Sequence, residues 1–162
     1  GSQGAQKIND IVIQSASKLT AQFQIIHQTG ELNYSAVQKS AEQFTNYRAY
    51  PFLDSGSLAL AYAAADVVVS RSGANLLSEI AALGKPAVVI PIKRSTANHQ
   101  YYNAIEFSKF GAVIIEEDNL VPSVFISQIE NTYQNRAEIG AKIKNFASLD
   151  AADKIAAQLL TL

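Results

Sequence analysis

Short apolar runs rich in β-branched residues alternate along this chain with longer stretches of helical periodicity. No other feature restricts the fold as much. The runs are Phe23–His27 (FQIIH), Tyr47–Phe52 with Pro51 interrupting it, Asp66–Ser70 (DVVVS), Ala87–Ile90 (AVVI) and Ala112–Ile115 (AVII). DVVVS and AVVI are apolar without alternation, as in strands covered on both faces. Between them lie helical patterns: Ile8, Ile11, Val12 and Leu19 on one stripe, then Ser35–Phe44, the Ser57-led LALAYAAA, Ala74–Leu83 and His99–Phe110. Further helices are predicted over Val124–Tyr133, Ala137–Phe146 and Ala151–Leu160. Gly84 before Pro86, and Gly111, supply the stop signals of the fourth and fifth helices. The expected fold class is α/β, a Rossmann-like parallel sheet with helices on both faces.

A chain of 162 residues, 48% hydrophobic, buries a proper core, and its length fits one domain over 1–162. A net charge of −1 with scattered basic residues argues against a nucleic-acid partner. The absence of cysteine excludes disulfides, thiolate metal sites and a cysteine nucleophile. No apolar run reaches the roughly 18 residues needed to span a bilayer. The chain has no methionine, which reads as a processed or cut piece. The opening Gly1-Ser2-Gln3-Gly4-Ala5 reads as a glycine-containing turn ahead of a helix. Such a turn normally follows a strand, so the sequence is expected to lack the first strand of its sheet.

The segment Asp66–Pro91 is the richest in chemistry. A strand delivers Arg71-Ser72-Gly73 to the start of a helix, where free N–H groups, the positive helix end and a guanidinium converge as a phosphate site. Gly73 permits close approach to an anion, and Arg71 offers a fork to phosphate oxygens. The plainer alternative is a helix capped by Ser72, with Arg71 as a surface charge. Glu79 sits about 9 Å along that helix and leans toward its N-terminus, so its carboxylate suits a ribose hydroxyl pair or simply solvent.

His99, Gln100 and Asn103 open the next helix. Gln100 and Asn103 lie at i, i+3 spacing, where their amides match sugar hydroxyls or an ordinary amide-rich helix start capped by Asn98. His27 at a strand end reads as structural. The consecutive acids Glu116-Glu117-Asp118 read as solvated groups pointing different ways, so no metal site is assigned. The opening GxxG lacks the third glycine and the later acid of a dinucleotide fingerprint.

Together GSQGA, IIHQTG (Ile25–Gly30), PFLD (Pro51–Asp54), ADVVVSRSGA (Ala65–Ala74), SEIAALGKPAVVIP (Ser78–Pro91) and HQYYNA (His99–Ala104) resemble one known family over nearly the whole chain. It is the C-terminal domain of the bacterial UDP-N-acetylglucosamine:lipid I N-acetylglucosaminyltransferases of peptidoglycan synthesis, a group of GT-B transferases. The resemblance implies that Ser2 and Arg71 meet the donor diphosphate, with Ser72 and Gly73 beside them. It implies that the backbone at Leu53 recognises uracil, that Glu79 holds the ribose, and that Gln100, with His99 and Asn103, reads the GlcNAc hydroxyls. The family often has Gln where His99 stands.

The implied reaction is inverting transfer from UDP-GlcNAc, a substrate and not a cofactor, to lipid I. Lipid I, the general base and attachment to the inner membrane face belong to an N-terminal domain outside these residues. No catalytic residue is therefore assigned here, and the implied location is the cytoplasmic face of the bacterial membrane. The piece alone is expected to bind donor without catalysing, and its open strand edge to favour self-association. Two alternatives are a UDP-GlcNAc 2-epimerase-like domain and the donor-binding subunit of a two-chain transferase.

Overall fold

The computed structural model describes residues 2–92 and 98–147. The expected helix over Ala151–Leu160 lies outside them. The elements run α1 (Ser2–Leu19), β1 (Ile25–Gln28), α2 (Glu31–Ala41), β2 (Tyr47–Tyr50), α3 (Ser55–Ala64), β3 (Val68–Ser70), α4 (Ala74–Ala82), β4 (Ala87–Val89), α5 (His99–Ser108), β5 (Val113–Ile114), α6 (Pro122–Gln134) and α7 (Arg136–Ile143). Among the described residues all strand pairs are parallel, and they form two sheets, β1-β2 and β3-β4-β5. The α/β class read from the sequence is the class observed.

In the three-stranded sheet successive residues face two different cores, as the two-residue period of a strand requires. Val69, Val88, Ile90, Val113 and Ile115 join a core built with α1, α2 and α6. Val68, Ala87, Val89 and Ile114 join a second core with Tyr62, Leu77, Ile80, Phe107 and Ile143. The two-stranded sheet contributes only to the first core, through Ile25, Tyr47 and Ala49. On its other face Ile26 and Tyr50 are exposed.

Two boundaries differ from the sequence reading by about four residues, the others by less. Residues 2–5 are helix and not the expected turn: α1 begins at Ser2, because the helix that packs through Ile11, Val12, Ala16 and Leu19 propagates N-terminally at little cost once nucleated. Helix α2 starts four residues before the expected Ser35. Gly30, at φ 77° and ψ 149°, turns the chain straight out of β1, and Glu31 then favours the positive helix end.

The predicted stops at Gly84 and Gly111 are present, both with positive φ (61° and 97°). The carbonyl of Gly84 lies so close to α7 that a Cβ on Gly140 would come within 2.6 Å of it.

Candidate functional site

Parallel strands send their following loops to one end of the sheet, and α1 ties the two sheets together at that end. Asn9 in α1 donates through Nδ2 to the Thr29 carbonyl beyond β1 (3.0 Å). Its Oδ1 must then accept, so the His27 Nε2 at 2.9 Å carries the hydrogen, and His27 Nδ1 accepts from the Tyr47 hydroxyl at 2.6 Å. The whole group is buried. Burial lowers the His27 pKa to about 4 and raises that of Tyr47. His27 is thus a neutral structural histidine, as its lone position in the sequence suggested.

Two residues earlier Lys7 reaches across to the loop after β5, pairing with Glu117 at 3.0 Å. The other carboxylate oxygen of Glu117 takes Arg71 Nη1 at 2.9 Å. The same guanidinium nitrogen donates to the Ile90 carbonyl at the end of β4 (2.9 Å). Burial draws the Arg71 pKa down from its usual value, and the Glu117 carboxylate opposes that shift. Two cations share this one carboxylate. The expectation that Glu116–Asp118 stay solvated fails at Glu117, whose side chain is only 8% exposed. Ion pairing to both Lys7 and Arg71 offsets its desolvation. No cluster of three metal-ligating residues occurs among the described residues.

Beside Arg71 the chain enters α4 through Gly73, an N-cap with extended backbone (φ −69°, ψ 137°) and no side-chain hydrogen bond to the helix. The space that a Cβ would take there is open. The plainer reading of Ser72 as a capping residue is not met. Its buried hydroxyl donates to the Gln100 carbonyl at 2.7 Å, and Asn103 Nδ2 returns a bond to the Ser72 carbonyl at 3.1 Å. Gln100 Oε1 accepts from Ile92 N–H (3.2 Å).

The structure therefore brings Ser72, Gln100 and Asn103 together as a latch between the β3–α4 turn and the first turn of α5. His99 is exposed beside them. Asn98 precedes α5 in a left-handed conformation and makes no side-chain cap. A cleft of about 260 Å³ opens here, lined by Pro91, Ile92, Asn98, Tyr101 and Glu116–Asp118.

Glu79 is exposed on α4, and its charge acts on Tyr62 of α3. Burial first, then Glu79, raises the Tyr62 hydroxyl to about 12. Leu53 follows β2, and its N–H donates to Gln28 Oε1 at the end of β1 (2.9 Å). Asp54 caps α3 by accepting from Ser57 N–H at 2.7 Å, which lowers its pKa. Ser2 opens α1.

The residues missed in sequence are Lys7, Gln28 and Glu117. Their partners are separated by 110 residues for Lys7–Glu117 and 25 for Gln28–Leu53, so no local pattern signals them.

The sequence matches the Glycosyltransferase family 28 C-terminal domain over residues 1–159. The chain belongs to that family. Among its relatives is an Aquifex aeolicus protein named UDP-N-acetylglucosamine--N-acetylmuramyl-(pentapeptide) pyrophosphoryl-undecaprenol N-acetylglucosamine transferase. It is 32% identical over 167 residues, covering 99% of this chain and 46% of that protein. A Halothermothrix orenii protein of the same name is 41% identical over 128 residues, covering 74% of this chain and 34% of that protein.

The crystal structure of Acinetobacter baumannii MurG superposes with a TM-score of 0.84 at 27% identity, covering all of this chain and 48% of that one. The glycotransferase of kitacinnamycin shares the fold at a TM-score of 0.55 and 18% identity. This family 28 chain spans less than half the length of each of these relatives. No described helix is long and apolar enough to cross a membrane.

Proposed function

We propose that this chain is the donor-binding domain of an inverting N-acetylglucosaminyltransferase that moves GlcNAc from UDP-GlcNAc to an undecaprenyl-pyrophosphoryl-linked muramoyl acceptor in peptidoglycan synthesis. The observation that carries the reading is the uncapped start of α4 at Gly73. It opens beside Arg71 at the strand ends, in a chain that belongs to family 28.

Transfer breaks the bond between the sugar and the diphosphate, so negative charge grows on the leaving UDP. Fixed N–H donors at a helix N-terminus, together with a nearby guanidinium, stabilise that charge without reorganising. Arg71 is already held in place by Glu117 and the Ile90 carbonyl, so little side-chain entropy remains to be lost on binding. Ser2 in the diphosphate contact, Glu79 at the ribose and Gln100, His99 and Asn103 at the sugar complete the donor site in this reading. The latch on Ser72 sets the spacing between the phosphate and sugar ends. The acceptor, its general base and any contact with the inner face of the cell membrane belong to the rest of the parent protein.

Titration calorimetry of the chain with UDP and ADP tests the reading. UDP binds and ADP binds far more weakly. Arg71→Ala and Glu79→Ala each weaken UDP by about 1.5–3 kcal/mol, the range for charge-assisted hydrogen bonds. Equal affinity for the two nucleotides would reduce the site to a general phosphate pocket. Wild-type affinity in both variants would remove the assignment.

A further inference from the structure

Among the described residues no strand pairing joins β1-β2 to β3-β4-β5, and α1 shares one core with strands of both sheets. The buried apolar residues of α1 begin at Ile11, and apolar packing has no direction, so on its own it lets the helix slide or roll. Polar contacts fix the other half of the helix. Asn9 binds the Thr29 carbonyl beyond β1, and two residues away Lys7 binds Glu117 beyond β5. The second contact continues, because the opposite oxygen of Glu117 takes Arg71 at the end of β3. One carboxylate thus joins three elements far apart in sequence: α1, the β3–α4 junction and the loop after β5. Glu117 and Arg71 are 8% and 13% exposed, whereas Lys7 keeps 53%. Charge-assisted bonds so far out of water are strong and hold their geometry.

The two ends joined in this way are those that the donor-site reading assigns to the diphosphate. Ser2 opens α1 about 7.5 Å along the helix from Lys7, and Arg71 stands just before the Gly73 start of α4. Resting on that reading, we propose that Glu117 is a positioning residue for the donor. It holds the first turn of α1 and the β3–α4 junction at the separation that a diphosphate spans, and Lys7 is the arm through which it reaches α1. Neither Glu117 nor Lys7 touches the donor. With the carboxylate charge gone, two like charges face each other across the joint and push α1 away from Arg71. Binding must then restore the spacing itself, which lowers affinity although every contact residue is still present.

Calorimetric titration of UDP into the chain and its variants decides the matter. Glu117→Gln keeps the size of the side chain and an acceptor for Arg71 while removing the charge. Lys7→Met severs only the arm to α1, at an exposed position, and Lys7→Arg restores it. The expected result is a fall in UDP affinity of about tenfold in Glu117→Gln and about threefold in Lys7→Met, with Lys7→Arg close to wild type. The double variant of Glu117→Gln and Lys7→Met binds no more weakly than Glu117→Gln alone, because Lys7 acts through that carboxylate. Melting curves identify the folded variants. Should Glu117→Gln fail to fold, the loss in Lys7→Met and its reversal in Lys7→Arg carry the test. Wild-type affinity in folded Glu117→Gln or in Lys7→Met overturns the inference while the donor site stands. Losses that add in the double variant show that Lys7 meets the donor itself, and overturn it too. If the wild-type chain does not bind UDP, the donor-site reading beneath it fails.

Discussion

In the three-stranded sheet Ala87, Val88, Val89 and Ile90 are all fully buried. In the two-stranded sheet Ile26 and Tyr50 are 48% and 39% exposed. The first is held by aliphatic packing from two sides. The second is packed from one side only, and its buried face includes the chain Asn9–His27–Tyr47 with Thr29 at its end. The difference shows two ways of fixing the end of a strand. Apolar burial stabilises without direction, whereas a satisfied polar chain sets geometry and is costly to leave half-made. Both regions lead into the proposed donor site, the polar one at Gln28 and Leu53, the apolar one at Arg71 to Gly73.

Truncation in the apolar region has the largest expected effect. Phe107 is fully buried and stacks edge-on against Phe146, so Phe107→Ala costs about 4 kcal/mol in urea denaturation. A cost below about 1 kcal/mol would show that this half relaxes freely, and the contrast would collapse.

Acid should strike the polar region next. The folded protein holds His27 near a pKa of about 4 against 6.5 for the free side chain. Between those values the unfolded chain binds a proton that the folded one excludes. Stability is therefore complete above pH 6.5 and falls as the pH drops toward 4, by about 3 kcal/mol. The difference between wild-type and His27→Gln stability profiles over that window measures this component, and parallel profiles would refute it.

The smallest effect belongs to the uncovered face. Ile26→Thr keeps the β-branched shape at an exposed position and should shift stability by less than about 0.5 kcal/mol. A larger loss in thermal melting would mean that this face is covered in solution.

The fold was legible because strand runs such as DVVVS and AVVI and the stops at Gly84 and Gly111 are local signals, and each falls where expected within about two residues. The start of α2 was misplaced because Ser35 looks like a cap, while Gly30 makes the turn through backbone geometry alone. The candidate site was legible only in part. Arg71 and Gly73 announce themselves through the strand-to-helix junction. The burial of Glu117 depends on Lys7 and Arg71, and the orientation of Gln28 depends on Leu53, contacts that exist only once the chain has folded back on itself.

The approach of α7 to the turn after α4 has a consequence for how this chain can change over generations. With the Gly84 carbonyl 2.6 Å from where a Cβ on Gly140 would stand, even alanine would need a shift of main chain, not of a pliable side chain. Position 140 therefore admits one letter, for a reason unrelated to sugar or nucleotide. A glycine retained there across diverging descendants would be a fossil of two backbones touching, and its persistence would carry no information about chemistry.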